Sequence, residues 1–398
     1  MRPLRILAIT VCLAVAARFA SAQPVRQPDR PELPAGADRN DPWTYYRLAQ
    51  SLLSRDPDKA ADAFYWAARL NPIWAEAFYG RRIALLLNDP RRLTRYWRGD
   101  KGAIRETRGI DSLYFYALTL NPFLGPNLDH LIQDAVIDQF SREYANRTGA
   151  SANEVAYEVQ KYITLGPPES RAVMAYQEGR YDDALALYAK AIPRSKEKGR
   201  LLAERGRLFY QMGQRDSALD NLTQALVEMR KADKDDLVFF YQSKALMEQR
   251  IGMIEHVKGN KAAARDAFGR ALGEDLSYFP AHVQLAYLGL EMGDTTTVIN
   301  EMDLAVQIKP DDAGIRYQYG YALGTLSKLK EAEVQLKKAI EIDPDFAAPH
   351  FVLGDVYQAT RRRPEALKEF EAFLALSAAN DPRREEAAQQ AAVLGGSQ

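Results

Sequence analysis

A 34-residue period in the small and bulky apolar residues constrains this chain more than any other feature. Its clearest copy is AGIRYQYGYALGTLSKLKEAEVQLKKAIEIDPDF, residues 313–346. Tyr319, Gly320 and Leu323 stand there at positions 7, 8 and 11, and Ala332, Leu336, Ala339 and Pro344 at 20, 24, 27 and 32. Small residues at 8 and 20 let two paired helices approach closely, and the larger apolar residues fill the space between them. Proline at 32 lacks an N–H and clashes with the preceding turn, so it ends the second helix. One such hairpin cannot bury both of its faces and needs neighbours of the same shape.

The period continues on both sides. The frame at 347 gives His350, Leu353, Gly354, Tyr357, Ala366, Phe370 and Phe373; the frame at 279 gives His282, Leu285, Ala286, Val298, Met302, Ala305 and Pro310. The frame at 245 gives Ile251, Gly252, Ala264, Phe268 and Ala271. An insert at 233–244 shifts the phase by 12 residues. The pattern then resumes upstream at 199 (Gly206, Phe209, Ala218, Leu222, Ala225) and at 165 (Ala172, Ala175, Ala184, Tyr188, Ala191). Six copies result: 165–198, 199–232, 245–278, 279–312, 313–346 and 347–380.

Over 165–380 this pattern resembles the tetratricopeptide repeat (TPR) family. The resemblance implies an all-α fold, a solenoid of helix-turn-helix pairs wound as a right-handed superhelix. Residues 381–398 are expected to close it with a capping helix and tail, Arg383, Arg384, Glu385 and Glu386 solvating the end of the stack. In that family the first helices of successive hairpins line a concave groove that takes a peptide or a partner helix. Carried onto this chain, the groove comprises Leu246, Gln249 and Met253, then Gln284 and Tyr287, then Tyr317, Gln318 and Tyr321, and finally Phe351 and Asp355. Phe239, in the insert, recurs at seven-residue steps with Leu246 and Met253, so the insert is expected to lengthen a repeat helix and the groove with it. Leu237, Phe240 and Tyr241 would continue the packing face. The family subtype that clamps a carboxyl terminus uses Lys and Asn at positions 5 and 9; here those positions hold pairs such as Ala203 and Arg207 or Tyr317 and Tyr321, and the clamp is absent.

Upstream, residues 1–22 have the form of a secretory signal peptide: Arg2 and Arg5, an apolar run from residue 6 to 17, then Ala20-Ser21-Ala22 as a cleavage site. Export to the periplasm, or secretion, is the expected localisation. The only cysteine, Cys12, lies inside this segment, so the mature chain would carry no thiol chemistry. Residues 23–40, rich in proline and polar groups, are expected to be a flexible linker. Residues 41–164 form a diverged TPR-like helical region that holds all four tryptophans: Trp43, Trp66, Trp74 and Trp97. These fill the core of irregular hairpins or mark a partner face. Arg91, Arg92, Arg95, Arg98, Lys101, Arg105 and Arg108 gather there too, as a solvated helical face or a contact for membrane or cell-wall polymer.

The 53 basic residues balance 53 acidic ones, which leaves no global field to attract nucleic acid. The sequence contains no Gly-x-Gly-x-x-Gly, no phosphate-binding Gly-Lys loop, no His-Glu-x-x-His and no Gly-x-Ser-x-Gly. His282 and His350 occupy position 4 of their repeats, and His130 and His256 lack a second ligand at helical spacing, so neither metal nor other cofactor is expected. Recognition remains: a non-enzymatic scaffold or adaptor of the cell envelope that binds a protein or peptide partner in its groove. The alternatives are a regulatory or substrate-presenting subunit of an envelope enzyme, and a structural component docked on membrane or polymer.

Overall fold

The computed structural model describes residues 27–97, 100–125, 127–231 and 243–396. Among them the secondary structure is helical throughout, and no helix is long and apolar enough to cross a membrane. The fold is an all-α solenoid of TPR-type hairpins. Its helices are α1 (Pro42–Leu52), α2 (Pro57–Leu70), α3 (Ala75–Leu87), α4 (Pro90–Trp97), α5 (Lys101–Leu120), α6 (Asp129–Thr148), α7 (Ala152–Leu165), α8 (Pro168–Gln177), α9 (Tyr181–Ala191) and α10 (Lys198–Gln211). There follow α11 (Arg215–Lys231), α12 (Lys244–Val257), α13 (Lys261–Glu274), α14 (Phe279–Met292), α15 (Thr295–Ile308), α16 (Ala313–Thr325), α17 (Leu329–Ile342), α18 (Ala348–Ala359), α19 (Arg363–Leu376) and α20 (Arg384–Gly395). The chain divides into two compact units: Met1–Leu48 with Asp62–Trp74 and Phe268–Gln398, and Ala49–Ala61 with Ala75–Ala267.

The first unit contains the hairpins α14–α15, α16–α17 and α18–α19. Asp312 starts α16, its carboxylate accepting from Ile315 N at 3.0 Å, which satisfies an amide that has no partner within the helix. Gly320 then faces α17 so closely that a Cβ would lie 2.6 Å from Leu336 Cγ. Gly354 meets the Phe370 ring in the same way, at 2.8 Å, and in the second unit Gly206 meets Leu222 at 3.0 Å. Position 8 against position 24 is thus one contact repeated along the chain, and Leu222, Leu336 and Phe370 are all fully buried. A second contact recurs between positions 4 and 23. His282 Nδ1 lies 2.6 Å from Glu301 Oε2, Arg316 Nη1 donates to Gln335 Oε1 at 2.8 Å, and His350 Nδ1 lies 2.6 Å from Glu369 Oε2.

Residues 27–40, expected as a flexible linker, are held in place. Trp66 Nε1 donates to Pro28 O at 3.1 Å, and the Arg30 guanidinium lies 4.9 Å from the Trp66 ring and bonds to Tyr45 Oη at 2.8 Å. Asn40 Nδ2 donates to Ala375 O, and Asp38 Oδ2 accepts from Ala379 N. Composition suggested a solvated tether, but these side chains pay the ordering cost through partners more than 300 residues away. The tryptophans of residues 41–164 divide. Trp66 is core, whereas Trp43 meets Trp74 at 4.4 Å with the rings tilted by 51° and stays half exposed; the side chain of Trp97 lies outside the described residues.

Arg69, near the end of α2, ties this segment to the turn after α17, with Nη2 3.3 Å from Asp343 Oδ1 and Nε 2.8 Å from Asp345 Oδ2. Burial pushes the Asp343 carboxyl up to about 6, although the Arg69 charge opposes the shift. A carboxyl raised from 3.8 binds its proton more tightly folded than unfolded. Its contribution to stability is therefore complete below about pH 4 and lost as pH rises through about 6. We expect the wild type to lose stability relative to Asp343→Asn between pH 4.5 and 7, in urea titrations run at both values. Parallel pH profiles for the two proteins would contradict this assignment.

Two further expectations change. Helix α20 does cap the last hairpin, with Ala387 buried, but Arg383 does not solvate it. Its guanidinium turns inward, 5.2 Å from the Phe373 ring and 5.7 Å from Phe351, and pairs with Asp381 at 2.7 Å. The insert does not lengthen α12 from its start. Ser243 is extended and caps that helix by accepting from Leu246 N, so the helix carrying Ile251 and Gly252 begins at Lys244. Leu237, Phe239, Phe240 and Tyr241 lie outside the described residues.

Candidate interaction groove

In the first unit the side chains at positions 5, 6 and 9 of α14, α16 and α18 line one face, to which Tyr287, Tyr317, Tyr321 and Phe351 bring aromatic rings. Tyr287 Oη donates to Gln318 Oε1 at 3.1 Å, which bridges α14 to α16. Burial, with Tyr317 and Tyr321 close by, pushes the Tyr287 hydroxyl up to about 12, so it stays a neutral donor. Tyr317 meets Phe346 edge-on at 5.2 Å and lies beside Arg383. Phe351 meets Phe373 edge-on at 5.2 Å and is nearly buried, whereas Gln284 and Gln318 are half-buried. Asp355 is exposed, and Tyr321 projects furthest, with 48% of its surface accessible. A surface of aromatic rings with hydroxyl and amide edges, flanked by the Arg383 guanidinium and the Asp355 carboxylate, suits the apolar side of a peptide while offering it hydrogen bonds.

One end of this face is already covered. A Cβ placed on Gly314, at position 2 of its repeat, would lie 3.3 Å from Ile73 Cγ2 and 3.8 Å from Pro72 Cβ. The turn after α2 therefore sits on the first turn of α16.

A family model for the tetratricopeptide repeat matches residues 313–346, the hairpin that carries Tyr317, Gln318 and Tyr321. This hairpin is a tetratricopeptide repeat. The TPR family is one of protein-interaction scaffolds. A curated relative, the BBSome complex member bbs-4 of Caenorhabditis elegans, is 22% identical over 247 residues, 61% of this chain. The chain spans about half the length of that relative, 48%. Among solved structures, YrrB, described as a TPR protein with an unusual peptide-binding site, is 21% identical and covers 51% of this chain and 97% of its own, with a TM-score of 0.40. MamA from Desulfovibrio magneticus RS-1 is 19% identical, covers 45% and 95%, and has a TM-score of 0.37. The C-terminal part of a TPR protein from Cytophaga hutchinsonii is 13% identical, covers 57% and 96%, and has a TM-score of 0.44.

The second unit treats its TPR face differently. Leu246 and Gln249, expected to line an open groove, are fully buried, and Met253 is half-buried. Arg207 and Arg250 are also buried, and the turn between α5 and α6 packs against this face. Arg250 Nε donates to Pro122 O at 2.7 Å, Gln211 Nε2 donates to Phe123 O at 3.3 Å, and the Phe123 ring stacks on Tyr210 at 3.6 Å. Beside it, Arg207 pairs with Glu204 and lies over the Tyr176 ring, and Tyr176 Oη donates to Gln211 Oε1 at 2.7 Å. The TPR positions identified Arg207 as a departure from the carboxylate clamp. That it belongs to an internally occupied face depends on residues 85 positions upstream, which no local spacing reveals.

Proposed function

We propose that this chain is an exported, non-enzymatic scaffold of the cell envelope that holds a protein partner on the TPR face of α14, α16 and α18. The observation that carries the reading is the open aromatic floor of Tyr287, Tyr317 and Tyr321, bridged by Gln318 and left accessible at Tyr321. Protein recognition is favoured over contact with membrane or glycan because part of the basic cluster is engaged internally. Arg95 pairs with Asp100 at 2.9 Å and with Glu106, and Arg92 Nη2 donates to Leu85 O.

Two measurements test the proposal. A partner recovered from the native envelope fraction should bind Tyr321→Ala about 1 kcal/mol or more weaker than wild type, as expected for an aromatic hot spot. Unchanged affinity in a folded variant would remove this face from the site. Mass spectrometry of the native protein should find its first residue at Gln23, after cleavage at Ala22. A terminus that retains Met1 would remove the envelope assignment.

A further inference from the structure

The segment that fills the face of the second unit is recognised as a bound peptide would be. Residues 121–125 form a tight turn in which Leu124 N donates to Asn121 O at 3.0 Å and Phe123 N to Asn121 Oδ1 at 3.1 Å. Its two outward carbonyls, Pro122 O and Phe123 O, are taken by side chains of two different helices, Arg250 on α12 and Gln211 on α10. Its aromatic ring stacks nearly parallel on Tyr210, 14° between planes. Its glycine is required, because a Cβ on Gly125 would lie 2.2 Å from Tyr176 Oη and 2.9 Å from Gln211 Nε2. Main-chain carbonyls held by side-chain donors, an aromatic slot and a position that admits only glycine together define a ligand: Asn-Pro-aromatic-apolar-Gly.

The first unit repeats part of this arrangement. Leu70-Asn71-Pro72-Ile73-Trp74 parallels Leu120-Asn121-Pro122-Phe123-Leu124. Trp74 N donates to Asn71 O at 3.1 Å in the same turn, and Pro72 and Ile73 rest on Gly314 of a TPR first helix. Each unit thus seats an Asn-Pro-apolar turn of this chain on a TPR face.

We propose that the face lined by Tyr176, Gln211 and Arg250 is a recognition site for an Asn-Pro-aromatic-apolar-Gly turn of a partner protein, and that residues 121–125 occupy it until the partner displaces them. This rests on the scaffold reading above and assigns it a second face with its own ligand chemistry. Occupation by the chain's own turn lowers the apparent affinity in proportion to the fraction of molecules with the face open.

The test uses the full-length chain and a fluorescein-labelled peptide, LTLNPFLG, corresponding to residues 118–125. Gly125→Leu blocks seating of the internal turn and leaves the receiving side chains intact. It should bind the peptide roughly tenfold or more tighter than wild type in fluorescence anisotropy, and a peptide with glycine replaced by leucine should not bind. Adding Arg250→Met should abolish the gain. As a second route, Pro122→Ala with Phe123→Ala frees the face without adding bulk, and helicity by circular dichroism verifies that each variant is folded. If folded variants bind LTLNPFLG no better than a scrambled peptide, the turn is a fixed part of the core and the inference is overturned. The two proposals separate cleanly. An envelope partner still sensitive to Tyr321→Ala, without peptide binding, removes only this one; peptide binding with a partner indifferent to Tyr321→Ala removes only the other.

Discussion

Arg207→Met should destabilise the chain by about 3–5 kcal/mol in urea unfolding, because it removes one partner of a buried ion pair. Arg207 is 3% exposed, pairs with Glu204, and lies 3.4 Å from Tyr176 Oη. Burial would raise the Glu204 carboxyl, but Arg207 and Arg250 together hold it below its ordinary 4.5. In the wild type, Glu204 therefore contributes stability above about pH 4.5 that is lost as pH falls through its lowered value. Without Arg207 the cost of burying the charged carboxylate is no longer offset, and the deficit of the variant relative to wild type should shrink toward pH 4. The double variant Arg207→Met with Glu204→Leu should recover most of the loss, since exchanging a whole buried pair for apolar groups is often nearly neutral. A single variant as stable as wild type at pH 7 would show that the pair lies in water.

Gly320→Leu should destabilise by about 1–3 kcal/mol through overpacking. The added Cβ alone would lie 2.6 and 2.8 Å from Leu336 Cγ and Cδ2, and 3.3 Å from the backbone nitrogen of Leu336. The leucine side chain could move, but the backbone could not without parting α16 from α17. Gly324→Leu, four residues along the same helix, is the control: nothing lies within 4 Å of its Cβ position. Relief of the helix penalty of glycine should leave that variant as stable as wild type or slightly more stable. Equal losses at both positions would show that the close approach of the two helices is not what makes glycine necessary.

The contrast between these two glycines shows what the sequence could reveal. Position 8 recurs as Gly206, Gly252, Gly320 and Gly354, and a small residue at fixed spacing from a bulky one records a helix–helix approach in one dimension. The hairpins and their close contacts were legible for that reason. The pairs at positions 4 and 23 were equally present in the sequence but were obscured by their chemistry. His282 and His350 stood out only as position-4 residues, because their partners, Glu301 and Glu369, lie on the second helix, 19 residues away. Where Pro122, Phe123 and Ile73 would settle was not legible. Where a turn docks depends on shape complementarity with helices far along the chain, which no spacing records. Composition likewise made residues 27–40 look solvated, because the partners of Asp38 and Asn40 are the backbone of Ala379 and Ala375, and backbone leaves no signature in sequence.

Stacked repeats normally have short-range topology, each hairpin touching only its neighbours, so folding can nucleate anywhere and spread. The ties from Asp38 to Ala379 and from Arg69 to Asp345 span 341 and 276 residues. Closing loops of that length carries an entropic cost that must be met before the contacts return any energy, and contacts so distant in sequence slow folding. The first unit therefore cannot be completed from its amino-terminal end. Residues 27–48 and 62–74 emerge early in synthesis and can pair with one another, through Trp66 with Pro28 and Arg30 with Tyr45, but a nascent or truncated chain ending before 343 leaves Arg69, Asp38 and Asn40 without their distant anchors.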